Sequence, residues 1–422
     1  MPRHPLTVAL LGFGTVGSSV ARILVERPEL ADRLRLTHVF NRGVSRKRAS
    51  WLTPDVVWTE DFNEVLAARP DVVVEVVGGV DPAREWVTRS LEQGASVVSA
   101  NKMLLAAHAP ELLVIAARRG VQLRFEAAVG GGVPLIHGVR EGLSGDTLIG
   151  VAGILNGTCN YILSRMSATG EPMDVVLADA QRLGYAEADP SADVDGHDAA
   201  AKLVVLAGIA FHRHIKASHI PTRSIRPISS ADFQYARRMA CTIRQVSQAR
   251  TRDSGFYASV GPVLVPQISA FGRNEGANNI VSIFGRYGGE SSFSGAGAGG
   301  PATAVAVVSD LLALSTSGEA REPEQWRSGT TVAPAAMPYY LRFVVRDCPG
   351  IIATIAAALA KQDINLDALH QETGYPKDCL PFVITVEPCE EAALSVALEE
   401  IGRAPWHAER PLALPMLLDS DS

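Results

Sequence analysis

Leu6-Thr7-Val8-Ala9-Leu10-Leu11 is an unbroken, mostly apolar run rich in β-formers, the pattern of a strand buried on both faces of a parallel sheet. Directly after it, Val16, Val20, Ile23 and Leu24 recur at helical spacing until Arg27-Pro28 stops them, so a helix follows the strand. The strand pattern returns at Leu36–Phe40, Asp71–Val77 and Ala95–Ser99, and the helical one at Glu85–Glu92 and Pro110–Arg119. Such alternation predicts an α/β fold with a doubly wound parallel sheet. From about Pro134 to Gly300 the segments lengthen and predict a second, α+β domain. Ala302–Leu314 reads as an apolar helix that returns to the first domain and closes it. Thr316–Ala336 is polar and reads as a linker. Beyond it, Tyr339–Val345 (strand), Gly350–Ala360 (helix), Asn365–Gln371 and Phe382–Val386 (strands) and Glu390–Ile401 (helix) outline a βαββα(β) module. The expected division is therefore 1–133 with 301–316, then 134–300, a linker at 317–337, and 338–422.

Composition narrows the class. The 422 residues are 47% hydrophobic and 20% charged, enough for several cores and far from a disordered polymer. Lys+Arg 39 against Asp+Glu 45 leaves a net charge of −6, and the only basic patch is the short one at Arg42, Arg46, Lys47 and Arg48, so no nucleic-acid partner is expected. The five cysteines are scattered without a C-x-x-C pair, which argues against a disulfide framework or zinc cluster and for a reducing cytoplasm. No apolar run nears the ~18 residues of a membrane span, so no membrane association is expected.

Gly12-Phe13-Gly14-Thr15-Val16-Gly17 lies between the first strand and the first helix. In that setting a G-x-G-x-x-G loop seats a dinucleotide pyrophosphate on the N–H groups of the helix N-terminus, the Rossmann-type arrangement. The second strand ends in Phe40-Asn41-Arg42, with no carboxylate for the ribose hydroxyl of NAD. Arg42, aided by its basic neighbours, suits a 2′-phosphate instead, and predicts NADP preference with NAD still possible.

A second segment, Gly184 to Asp198, concentrates five carboxylates ahead of Lys202. Ser191, Asp193, Asp195 and Gly196 fit the first positions of a calcium loop, but its twelfth position, which needs a bidentate Glu, is Lys202. The stronger reading is a helix opened by Gly196, with Asp198 and Lys202 one turn apart on one face. Leu203 to Phe211 follow and are apolar on all sides, so this helix is expected to be buried. A buried lysine with its carboxylate is able to take a hydroxyl proton while hydride leaves the same carbon, or to donate in reverse. Glu187 and Asp193 then remain to hold a positively charged substrate group.

Together with Ser99-Ala100-Asn101-Lys102 and Gly153-Ile154-Leu155-Asn156-Gly157-Thr158-Cys159-Asn160-Tyr161-Ile162-Leu163, these segments resemble the homoserine dehydrogenase family over about residues 6 to 315. The resemblance implies reversible, NAD(P)-dependent interconversion of L-aspartate 4-semialdehyde and L-homoserine. Lys202 matches the family's proton donor or acceptor, Asp198 and Glu187 its substrate carboxylates, Asp193 a supporting acid, and Lys102 the lysine between nicotinamide and substrate. Thr158 falls near the substrate carboxylate, and Gly78, Gly184 and Gly299 on the cofactor side. Glu126 to Pro134 resembles the loop whose main-chain oxygens, here at Glu126, Val129, Gly131 and Val133, hold a monovalent cation, commonly sodium. The last module resembles a ferredoxin-like (βαββαβ) ACT domain through Asp347-Cys348-Pro349-Gly350 and Asn365. That implies L-threonine bound between paired modules, a homodimer or homotetramer, and a module that can be cut away after Ala336 with activity retained. Two alternatives stand beside this: a phosphorylating semialdehyde dehydrogenase using Cys159 as nucleophile, and a non-catalytic amino-acid or nucleotide sensor.

Overall fold

The computed structural model describes residues 4–252, 255–316 and 325–418. Six strands, β1 (Leu6–Leu11), β2 (Leu34–Phe40), β3 (Val57–Thr59), β4 (Val72–Glu75), β5 (Ser96–Ser99) and β6 (Leu123–Arg124), form a parallel sheet in the order β3-β2-β1-β4-β5-β6. The order reverses between β1 and β4, which opens a crevice at the carboxyl ends of the strands, where ligands of such sheets bind. Alternation along β1 divides its side chains between two cores: Ala9 and Leu11 face one, Val8 and Leu10 the other. The second core is closed by the helix Gly300–Thr316, whose Ala304, Val307, Val308 and Leu311 pack with Val20 and Ala21 of the helix Thr15–Glu26.

One helix is longer than the pattern predicts. It runs Lys102–Arg119 with Pro110 inside it rather than starting at Pro110. Asn101 caps its start, its side-chain oxygen accepting the N–H of Leu104 at 3.1 Å. Pro110 has no N–H for the carbonyl of Ala106, and the Nε2 of His214 meets that carbonyl at 2.8 Å. A tertiary contact thus replaces the hydrogen bond that proline deletes.

The second sheet contains β7 (Leu148–Ile154), β9 (Cys241–Arg252), β10 (Gly255–Pro266), β11 (Asn278–Gly285) and β12 (Gly289–Ala296) in the antiparallel order β10-β9-β7-β11-β12. The helix His197–Phe211 packs between the second sheet and the helix Lys102–Arg119 and is buried on nearly all sides. Its apolar circumference is explained by that position.

Where it is described, the stretch read as a linker is pinned rather than free; residues 317–324 of it lie outside the described residues. Trp326 is buried against Phe125, and β13 (Arg327–Ser328) pairs in parallel with β8 (Arg213–His214). Gly208 has no side chain because Trp326 occupies the space: a Cβ there would meet the indole at 2.5 Å.

The C-terminal sheet, β14 (Met337–Val345), β15 (Leu366–Gln371), β16 (Leu380–Cys389) and β17 (Leu412–Pro415), has the antiparallel order β15-β16-β14-β17. Tyr339, Leu341, Phe343 and Ile384 pack with the helices Ile351–Ala360 and Glu391–Ile401. Tyr340, Val383, Leu414 and Met416 enter a common core with Phe233, Tyr235, Ile243 and Leu264 of the preceding domain. The N–H of Leu417 also donates to the carbonyl of Leu264 at 2.8 Å. A cut after Ala336 would strip this wall from the second domain's own core, so it should cost that domain stability. Among the described residues no helix is long and apolar enough to cross a membrane.

Candidate active site

Three charged side chains meet at the carboxyl end of the parallel sheet. Lys102 begins its helix directly after β5, and its Nζ lies 2.9 Å from Oδ1 of Asp198. Asp198 stands in the first turn of the helix His197–Phe211, and Lys202, one turn on, reaches its Oδ2 at 2.8 Å. The Nζ of Lys202 also donates to the carbonyl of Leu155 at 2.8 Å. An ammonium has three donors, so these two bonds leave Lys202 one for another oxygen. The side chains of Asp198 and Lys202 are 11% and 13% exposed, that of Lys102 36%. Burial alone would raise the carboxyl of Asp198, but the two ammoniums override it and hold it well below the usual carboxylate range.

Asn156 is the main site residue that the motif reading passed over. Its Nδ2 donates to Oδ1 of Asp193 at 2.7 Å and to Oδ2 of Asp198 at 3.0 Å, while its Oδ1 caps the helix Gly157–Thr169 at the N–H of Cys159. The available signal was local: an Asn immediately before a helix start. Asp193 is raised above its usual value, first by burial and further by the charge of Asp198, against the opposing bond from Asn156.

Glu187 is not drawn into this cluster among the described residues; it stands exposed, and its carbonyl accepts from Nε2 of Gln181 at 3.1 Å. Thr158 donates its hydroxyl to the carbonyl of Tyr185 at 2.5 Å, which ties it to the loop carrying Gly184 and Glu187. Cys159 is buried with its thiol 3.2 Å from the carbonyl of Asp193. Burial first, then the neighbouring carboxylates, push that thiol well up, so it lacks the thiolate a nucleophile needs. The calcium reading fails as well: the hydroxyl of Ser224 and the guanidinium of Arg226 occupy Asp195 at 2.6 and 3.1 Å. Among the described residues no three His, Cys, Asp or Glu side chains are placed to hold a metal.

The Gly12–Gly17 loop fits a dinucleotide. Gly12 has φ +101°, and a Cβ on Gly17 would overlap the Gly12 carbonyl, so both must lack a side chain. A Cβ on Gly14, Gly78, Gly184 or Gly299 would meet nothing within 4 Å, leaving open backbone for a ligand to approach. Phe13 packs edge-on to Trp58 and its N–H donates to Oδ1 of Asn41 at 3.0 Å. Asn41 therefore braces the loop, and Arg42 beside it is exposed. Thr15 and Val16 open the helix at the loop's end.

In the Glu126–Pro134 loop the buried carboxylate of Glu126 accepts the N–H groups of Ile136 and His137 at 2.9 and 2.7 Å. The Val133 carbonyl accepts from Leu135, Val129 is extended, and Gly131, at φ +59°, is so close to Gly297 that a Cβ would sit 2.5 Å from its carbonyl oxygen. In the C-terminal module the N–H of Asp347 donates to the Lys377 carbonyl at 2.6 Å, Gly350 caps a helix at φ +95°, and Asn365 donates to Glu387 at 3.1 Å.

Three family descriptions match: homoserine dehydrogenase over residues 134–312, homoserine dehydrogenase NAD binding domain over 12–126, and ACT domain over 339–405. A homoserine dehydrogenase of Mycobacterium tuberculosis is 40% identical over 415 residues, covering 94% of both chains. One from Pseudomonas aeruginosa is 36% identical over 412 residues, covering 93% of this chain and 94% of its own. The crystal structure of a homoserine dehydrogenase from Thiobacillus denitrificans superposes with a TM-score of 0.90 at 33% identity, covering 98% of each chain. A hyperthermophilic archaeal homoserine dehydrogenase in complex with NADPH matches with a TM-score of 0.65 at 26% identity, covering 75% of this chain and all of its own.

Proposed function

The chain belongs to the homoserine dehydrogenase family, with an ACT domain at its C-terminus, and from that premise we propose how its own residues carry the reaction. It is an NAD(P)-dependent oxidoreductase. The nicotinamide cofactor supplies the hydride that turns the aldehyde of L-aspartate 4-semialdehyde into the alcohol of L-homoserine, and accepts it in reverse.

The Nζ of Lys202 delivers a proton to the carbonyl oxygen as it becomes a hydroxyl, and takes it back in the oxidation. Asp198 and the Leu155 carbonyl aim that ammonium and leave its third donor for substrate. Lys102, on the other oxygen of Asp198, stands between the cofactor crevice and the substrate. Asp193 and Glu187 receive the substrate ammonium and Thr158 lies toward its carboxylate. The single observation that carries this reading is one buried carboxylate gripping two lysines from separate domains, at 2.9 and 2.8 Å.

The remaining assignments follow the same resemblance. The cofactor preference is for NADP, through Arg42 and its basic neighbours. The carbonyls of Glu126, Val129, Gly131 and Val133 hold a monovalent cation, sodium. L-Threonine binds at Asp347, Gly350 and Asn365 between paired C-terminal modules and inhibits a homodimer or homotetramer in the cytoplasm of the cell. The domain division is 1–133 with 301–316, 134–300, and 338–422 after the connecting segment.

The test is one assay: purified protein with L-homoserine and NADP at alkaline pH, following reduced cofactor, with Lys202→Ala alongside. Turnover by the wild type and none by the variant is expected. An inactive wild type, or a variant of full activity, overturns the mechanism.

A further inference from the structure

Glu75 is the last residue of β4, and its side chain is completely buried. Every partner the structure gives it is neutral. Its Oε2 accepts the hydroxyl of Ser99 at 2.7 Å, and its Oε1 accepts the N–H groups of Val77 at 2.8 Å and Gly78 at 3.2 Å, with Nδ2 of Asn101 at 3.4 Å. Burying a carboxylate is costly, and packing by itself is met by an apolar side chain at this strand end. What the carboxylate holds is therefore informative.

Its bonds reach both lips of the crevice. On one side lies the Val77-Gly78-Gly79 turn, where Gly78 and Gly79 have φ +82° and +75°. On the other lies the turn Ser99-Ala100-Asn101, closed by the N–H of Asn101 donating to the Ser99 hydroxyl at 3.1 Å. Asn101 links the two again, donating to the carbonyl of Gly79 at 2.6 Å while capping the helix that begins with Lys102. The amine of Lys102 is in turn 2.9 Å from Asp198. A short buried chain thus runs from the glycine turn on the cofactor side, through Glu75 and Asn101, to the lysines.

We propose that Glu75 is a positioning residue for hydride transfer: it locks the glycine turn against which the cofactor lies to the turn that launches Lys102, and so sets the distance between cofactor and substrate. This rests on the reading of Lys102 and Lys202 given above. Glu75 acts through hydrogen bonds and touches neither the reacting carbon nor the transferred proton.

The experiment compares Glu75→Ala, Glu75→Gln and Ser99→Ala in the full-length enzyme, with Lys102→Ala and Lys202→Ala as controls. For each, kcat, the KM for NADPH, the melting temperature and the isotope effect with cofactor deuterated at the transferred position are measured. Glu75→Ala is expected to lower kcat/KM for the cofactor by about 100-fold, the size a misplacement of roughly 1 Å produces, with an enlarged isotope effect. Glu75→Gln keeps an acceptor for Val77 and Gly78 and reverses the bond to Ser99, its amide donating where the carboxylate accepts, so it should recover most of that loss. Ser99→Ala should raise the cofactor KM and the isotope effect more mildly, and it carries the test should Glu75→Ala fail to fold. A purely structural role would lower the melting temperature and leave kcat, KM and the isotope effect of the folded enzyme at wild-type values, and that result overturns the proposal. Equal damage from Gln and Ala overturns it too, since charge rather than hydrogen bonding would then matter. Activity retained in the lysine variants overturns the site reading instead, which separates the two failures.

Discussion

Two buried carboxylates invite comparison, Asp198 in the candidate active site and Asp232 at the junction with the C-terminal module. Both are partnered by cations across a domain boundary. Asp232 is saturated: its oxygens accept the hydroxyl of Tyr340 at 2.8 Å, the guanidinium of Arg342 at 2.6 Å, and both the N–H and the hydroxyl of Ser229 at 2.7 and 3.0 Å. Its partner cation is an arginine, planar and permanently charged, with a side chain only 5% exposed. Asp198 is instead held by two lysines, one of them a third exposed, and Lys202 keeps a donor free. The difference is between a carboxylate whose bonds are all met at a joint and one that holds an ammonium with a donor to spare, the arrangement the proposed proton transfer needs.

The comparison is broken most directly by Lys202→Arg. The charge is kept but no proton can be released, so kcat should fall by about 10²- to 10⁴-fold while the melting temperature stays near that of the wild type. Steady-state rates beside thermal unfolding decide it; a variant of near-normal rate would remove proton transfer from Lys202. The converse change is Arg342→Met, which leaves Asp232 buried without its cation and should cost about 3–5 kcal/mol in urea unfolding. Turnover per folded molecule should be unchanged; a rate loss at full stability would make the junction part of the chemistry. A subtler effect belongs to Asp193. Burial raises its pKa, so it stays protonated, and unable to hold an ammonium, to a higher pH than an ordinary aspartate. The kcat/KM for homoserine should therefore fall with acidity around a midpoint above the usual value of about 4, and Asp193→Asn should abolish that limb of the profile.

The parts that were legible in the sequence are those whose cause is local. β1 and the glycine loop declare themselves within a dozen residues, and so does the Asp198-Lys202 pair, because four residues make one helical turn. The third strand and the helix Phe62–Ala67 passed unnoticed, being short and only partly apolar. The helix start at Lys102 was hidden by Pro110, whose missing hydrogen bond is replaced by His214, a residue far along the chain. Asn156 and Glu75 escaped for a related reason: the helix cap of Asn156 is a local signal, but its reach to Asp193 and Asp198, like that of Glu75 to Ser99 and Asn101, is to other segments and leaves no trace in the neighbouring residues.

By itself the sequence determined the order of the elements, the dinucleotide loop, the helix that carries Asp198 and Lys202, and the family. Hydrophobic periodicity and short motifs encode all of these over a few turns of chain. Only the tertiary structure decided that Lys102 shares Asp198, that Asn156 and Glu75 brace the crevice, and that the C-terminal sheet completes a core of its neighbour. Those outcomes depend on which buried polar groups find partners after distant segments pack, and a hydrogen bond between residues a hundred positions apart has no local pattern to betray it.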